Sequence, residues 1–286
     1  MILIILLIAL ALDFFLGGME RLRQFRWWTS YYYLLEKKLG HYSLWAGPLG
    51  VLGVLLVPLL LVISLQLYFD YWSWFIEAIF SLAVLIYCLA PEKLDGRLDF
   101  YITAIEVENT EDRYQLEKEL IHTDIASGEN IELDVIKSTF IESQRRTFGV
   151  ILWFLLLGVP GVILYRLVCE LKAELSEIQS GFTDSLKDLI NILEWPVTRL
   201  TVLGMALAGH LMDALDGWRK TESFSLAVND DVLIKGGLGA LQYRDDMQLS
   251  DNNAAYWIEE TKSLINRTLV IWLAIIAVMT LSGKLG

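Results

Sequence analysis

Residues 47–69, "GPLGVLGVLLVPLLLVISLQLYF", and 72–90, "WSWFIEAIFSLAVLIYCLA", are two long apolar runs separated only by Asp70 and Tyr71. A hydrocarbon core about 30 Å thick is crossed by about 20 residues of helix. Each run is long enough to cross it, and the short turn between them makes the pair a helical hairpin. Few features constrain a chain more than this one, because both segments need a non-aqueous environment.

Four further stretches extend the pattern. Residues 2–17, "ILIILLIALALDFFLG", are apolar apart from Asp13, and no basic residue precedes them. A cleaved signal peptide has a positive start and a small-residue cleavage site, so this segment reads as a retained, short first membrane helix. Residues 147–169 and 268–283 are expected to be a fourth and a last span. Residues 189–209, "LINILEWPVTRLTVLGMALAG", are apolar enough to enter the bilayer but carry Glu194, Pro196 and Arg199. A charge at the bilayer centre costs at least ~2.5–3.5 kcal/mol, so this segment is expected to face other helices or a wet cavity, and a broken or re-entrant helix is one form it can take. The expected fold is an all-α polytopic membrane bundle of about five or six membrane helices, forming one membrane domain over 1–286.

Composition agrees. The chain is 55% apolar with a mean hydropathy of +0.47, too high for an ordinary soluble protein. Its net charge of −12 argues against a nucleic-acid partner and against a polybasic lipid-binding tail. The two cysteines, Cys88 and Cys169, lie in apolar sequence and supply neither a disulfide scaffold nor a CxxC metal site. His41, His122 and His210 are too scattered to announce a metal site, and no metal or cofactor is expected.

The polar parts divide three ways. Residues 18–46 carry five basic residues, Arg21, Arg23, Arg26, Lys37 and Lys38, against two acids, with Trp27, Trp28 and the tyrosines 31–33 as an interfacial belt. The positive-inside bias places this loop in the cytoplasm. Residues 91–146 carry 14 acids against seven bases, and their helically spaced apolar positions indicate a small cytoplasmic helical insertion with a break at Gly128-Glu129-Asn130. Residues 210–267 form the other soluble region, with a glycine-rich piece, "KGGLGAL" (235–241), and an acidic turn at 244–246.

The candidate site begins where the insertion meets the fourth span, "FIESQRRTFGVILWFLLLG" (140–158). On a helix Glu142 lies three and four residues from Arg145 and Arg146, so a carboxylate and a guanidinium can pair there or hold an anion between them; a juxtamembrane salt bridge with ordinary anchoring is the plainer alternative. Tyr165 and Arg166 stand at the far edge of the same run, where simple snorkelling also accounts for an arginine. Arg199, with Glu194 before it, reads as polar wiring inside a bundle, either a ligand site or a pair that locks helix packing. "KGGLGAL" lacks the order of a phosphate loop, so close helix packing through Gly236, Gly237 and Gly239 is expected. His210 is read as a helix C-terminal residue, with a proton carrier as the alternative. No hydrolytic triad, HExxH or nucleotide fingerprint is present, and no catalytic residue is assigned.

Taken together, "ERLRQFRWW" (20–28), "QRRTFGVILWFLLLGVPGVILYRL" (144–167), "LINILEWPVTRLTVLGMALAGH" (189–210) and "NDDVLIKGGLGAL" (229–241) resemble the AmpE family of bacterial inner-membrane proteins. The resemblance implies a signalling modulator linked to β-lactamase induction and disturbed peptidoglycan recycling, with a muropeptide-related ligand and a signalling partner protein. The same stretches are more distantly similar to the CobD/CbiB cobalamin-biosynthesis membrane family, whose members join a corrinoid acid to an amino alcohol or its phosphate. "PGVILYR" (160–166) matches that family's Pro-Gly-x-x-x-Tyr-Arg, "WPVTRLT" approaches its Pro-Ala-Arg-Leu-Thr, and Asn229 keeps its spacing to "GAL" (239–241). The chain departs from it at Glu142, Arg145 and Arg146, which stand where that family has an acidic and asparagine-rich segment, and at Val232-Leu233, which replace a Trp-Pro pair. The resulting expectation is an anion site built from Glu142, Gln144, Arg145, Tyr165, Arg166, Glu194, Arg199 and Asn229 in a membrane-embedded bundle, facing the lipid bilayer elsewhere.

Overall fold

The computed structural model describes residues 2–15, 25–89, 92–107, 110–121, 130–221, 225–243 and 251–283, and all regular structure among them is helical. In chain order the helices are α1 (Ile2–Phe15), α2 (Arg26–Leu39), α3 (Pro48–Trp72), α4 (Trp74–Cys88), α5 (Glu92–Glu106), α6 (Thr110–Leu120), α7 (Ile131–Ser143), α8 (Gly149–Glu174), α9 (Gly181–Ala208), α10 (Leu211–Arg219), α11 (Asn229–Ala240) and α12 (Asp251–Leu281). A π-helical turn, Gln144–Phe148, joins α7 to α8. Arg21 and Arg23 of the basic loop, His122, the break at Gly128 and the acidic turn at 244–246 lie outside the described residues.

The helices form two compact units, Met1–Ala90 with Gly149–Trp195, and Pro91–Phe148 with Pro196–Lys284. Three of the described helical segments are long and apolar enough to cross a membrane, Pro48–Trp72, Ile131–Glu174 and Asn253–Leu281, and Leu3–Leu12 and Trp74–Cys88 are shorter apolar helices. The architecture is an all-α membrane helix bundle. The expected span at 189–209 is not one of the three, because its charges dilute its apolar character.

In the first unit, Pro48 opens α3 at a position where its missing N–H costs nothing. The helix is apolar on every side and leaves Leu52, Leu56 and Leu60 exposed, as suits a rod in lipid. The α3–α4 hairpin turns on Ser73, whose extended backbone ends α3 and whose hydroxyl accepts the Phe75 N–H at 3.3 Å to start α4. Trp28 of α2 is fully buried and donates its indole N–H to the Leu167 carbonyl of α8 at 3.0 Å.

The fourth span departs most from expectation. Gly158 in α8 takes φ 66, ψ −148, a conformation that favours glycine, two residues before Pro160. Beyond it the helix folds back. A Cβ on Gly161 would lie 2.6 Å from the Trp153 carbonyl oxygen, and one on Gly149 would strike the Tyr165 ring. In a straight helix Gly149 and Tyr165 would be about 24 Å apart. Residues 147–169 are therefore not one straight span; α8 is a helical hairpin whose arms meet at glycines. The broken helix foreseen at 189–209 is located here instead, whereas α9 runs through Pro196 as one helix. Pro196 leaves its neighbours helical, whereas Gly158 at positive φ redirects the chain.

In the second unit, α7 begins at Asn130, whose side chain accepts the Leu133 N–H at 2.9 Å. Its Phe140 packs with Val202 and Met205 of α9, Val232 and Leu233 of α11, and Ile258 and Leu264 of α12 in one apolar core. "KGGLGAL" lies largely within α11 and serves close packing. A Cβ on Gly237 would come within 2.8 Å of the Phe140 ring, and one on Gly236 within 2.6 Å of Val202. His210 is not the end of a helix but the residue that precedes α10, with its Nδ1 2.9 Å from Asp213 Oδ2.

Candidate functional site

The π-turn sets the geometry. One extra residue per turn at Gln144–Phe148 rotates the arginines relative to α7, and such turns often occur at functional positions. The two arginines consequently part company. Arg146 pairs through Nε with Glu142, while Arg145 reaches Asp230 in the first turn of α11, with Nη2 3.4 Å from its carboxylate. The sequence left the Glu142 partner open between the two, and it is Arg146.

Arg199, mostly buried in α9, donates through Nη1 to Asn229 Oδ1 and through Nη2 to the Ser225 carbonyl at 3.1 Å. Asn229 is itself buried at the start of α11. The N-terminal end of α11 thus carries one arginine contact from the π-turn and one from α9. Arg145, Arg199 and Asn229 are brought together within the second unit.

Gln144 lies beside them in sequence and is fully buried, at 0% exposure, yet neither its amide nitrogen nor its amide oxygen has a hydrogen-bond partner among the described residues. The hydroxyls of Thr198 and Thr201, both fully buried in α9 on either side of Arg199, are likewise unpartnered. Leaving a buried polar group unsatisfied costs about 1–3 kcal/mol.

Tyr165, Arg166 and Glu194 belong to the first unit. Tyr165 is buried against Gly149. Arg166 pairs with Glu170 at 2.7 Å and stacks over the Phe25 ring with its guanidinium carbon 5.6 Å from the centroid. Glu194 is 1% exposed. The sequence reading missed Asp230, Ser225, Thr198 and Thr201. Asp230 was legible as an acid beside Asn229 at a helix start, whereas nothing in the sequence separates Thr198 and Thr201 from ordinary helix-lining threonines.

Chemically, two guanidinium groups, an amide without partners and two free hydroxyls supply donors for oxyanions. Among the described residues no cluster of three metal-ligating side chains occurs.

No family model matches the chain. No solved structure matches it either. Among curated proteins, a match of 127 residues at 30% identity aligns it with the cobalamin biosynthesis protein CobD of Chromobacterium violaceum. Over this stretch the chain is similar to a cobalamin biosynthesis protein. The match covers 41% of this chain and 41% of that relative, so it spans well under half of either. It bears on the cobalamin-biosynthesis side of the resemblance, and the AmpE side rests on the residues alone.

Proposed function

We propose that the chain is a membrane-embedded binding protein for a small anionic molecule bearing a carboxylate or phosphate, and that it acts as an inner-membrane signalling modulator of β-lactamase induction, as the AmpE resemblance implies. The observation that carries the binding reading is Gln144, fully buried with both amide atoms unpartnered and followed directly by Arg145. Arg199 on Asn229 and Arg145 on Asp230 support it, since both arginines are held by neighbours that fix their direction. Tyr165, Arg166 and Glu194 lie in the first unit and are not counted in this site. The signal reaches the cytoplasm through the basic segment that includes Arg26, Lys37 and Lys38 and through the acidic helical insertion. A muropeptide-derived sugar–peptide has the required anionic character.

The test is a strain in which the native gene is replaced by the Arg199→Ala or Gln144→Leu variant, with the protein level matched to the parent. β-Lactamase induction by a β-lactam is expected to change in both variants. Parent-like induction in both would rule out this site as the sensor.

The CobD similarity favours a second reading, an amide-forming membrane enzyme of cobalamin biosynthesis. It predicts that purified protein supplied with ATP, which activates the carboxylate as an acyl phosphate, forms the amide between a corrinoid acid and an amino alcohol or its phosphate, with release of ADP and phosphate. The absence of product with ATP present would remove it.

A further inference from the structure

The first unit holds a groove that the anion-site reading does not use. Helix α2 is amphipathic, carries Lys37 and Lys38 in its last turn, and leads through a short 3₁₀ turn, Ser43–Ala46, into membrane-crossing α3. A cleft of about 420 Å³ opens between them, walled by Tyr31, Leu35 and Leu39 of α2, by Trp45, and by Gly53 and Val57 of α3. Its walls are almost wholly apolar or aromatic. Three observations make it more than ordinary lipid contact.

Gly53 faces open space, for a Cβ there would meet nothing within 4 Å, whereas one on Gly50 would strike the Trp45 backbone. Tyr31, which lines the groove, carries a shielded hydroxyl with no hydrogen-bond partner among the described residues. Lys38, exposed, follows Tyr31 and Leu35 at helical spacing and so shares their face of α2, where it forms no ion pair with a described residue. An apolar slot, a free phenol donor and a free cation thus follow one another along one helix face at the start of a membrane helix.

We propose that this groove binds one anionic phospholipid, with an acyl chain between α2 and α3, its ester region at Tyr31 and its phosphate at Lys38. The match of charge and the continuity of the groove with lipid-exposed α3 select a lipid over a peptide, since a helical ligand needs a wider trough. This site is independent of the proposed anion site.

The experiment places the full chain in nanodiscs of equal parts phosphatidylglycerol and phosphatidylcholine, releases it into detergent, and counts retained lipids by native mass spectrometry. The parent is expected to retain one phosphatidylglycerol about fivefold over phosphatidylcholine, the contribution of one cation near an anionic headgroup. Lys38→Glu, an exposed change that leaves the core intact, should erase that preference. Gly53→Phe, which fills open space, should lose the retained lipid of either kind. Equal retention of both lipids by the parent, or parent-like retention by Gly53→Phe, overturns the proposal. A dimer that persists without lipid and is broken by Gly53→Phe would overturn it in favour of a second copy of the chain.

Discussion

Tyr165 packs against Gly149, although both lie in α8 and a straight helix would separate them by about 24 Å. The contact exists because Gly158 at φ 66 turns the chain back on itself, and because glycines at 149 and 161 let the two arms approach.

A hairpin returns its two ends to one face of the membrane, and a straight span does not. With Cys88 and Cys169 replaced, cysteines at Arg146 and Lys172 are expected to react with an impermeant thiol reagent from the same side. Labelling from opposite sides would mean that α8 crosses. Gly158→Ala should destabilise the protein by about 1–2 kcal/mol, since alanine resists a left-handed backbone.

Gln144→Leu offers a separation of stability from function. Leucine removes two unpartnered polar atoms from a fully buried position, so the variant is expected to unfold at a higher temperature, by the equivalent of about 1–3 kcal/mol. It should also lose the ligand response. A destabilised variant would indicate that the amide contributes to the fold.

Arg199 serves two acceptors at once, Asn229 Oδ1 and the Ser225 carbonyl. Lysine carries the same charge but lacks the fork that spans them. Thermal unfolding of Arg199→Lys and Asn229→Ala should each show a loss of about 1.5–3 kcal/mol, and the double variant should lose less than their sum. Strict additivity would mean that the two side chains do not act together.

Close packing of α11 on α7 predicts that Gly237→Ala costs about 1–3 kcal/mol, because its Cβ would lie 2.8 Å from the Phe140 ring. Phe140→Leu, costly by itself, should recover part of that loss in the double variant. No coupling between the two sites would contradict the observed contact.

The helical insertion has an alkaline limit. Tyr101 is fully buried and donates to Glu117 Oε1 at 3.0 Å; burial first, and then the neighbouring Glu117 carboxylate, raise its pKa above the usual 10.0. The folded state therefore favours the neutral phenol, so the associated stability is present below pH 10 and is lost as pH rises above it. Melting temperatures at pH 8 and pH 10.5, roughly either side of the ordinary tyrosine value, should fall further in the parent than in Tyr101→Phe. An equal fall in both would exclude Tyr101 as the cause.

Legibility in the sequence differed sharply between elements. Long apolar runs are unambiguous because the cost of wetting them or of leaving backbone groups bare in lipid overwhelms every local preference. The α3–α4 hairpin was therefore plain, as was the helical packing role of "KGGLGAL", which lacks phosphate-loop order. The break in α8 was not, because the sequence shows Gly158 and Pro160 but only the backbone angles at Gly158 reveal the reversal, while Pro196 offers an equally strong local cue and leaves α9 continuous.

The site shows the same division. Sequence alone placed Tyr165, Arg166, Glu194 and Arg199 within apolar segments and Gln144, Arg145 and Asn229 in the polar regions beside them, because run length separates lipid-facing from water-facing sequence. Tertiary structure decided which of them meet. The π-turn sends Arg145 to Asp230 and leaves Arg146 with Glu142, the start of α11 receives Arg199, and Gln144 is buried without a partner among the described residues. Such pairings depend on ångström-scale rotation between helices that are distant in the chain, and residue spacing within one helix carries no information about that rotation.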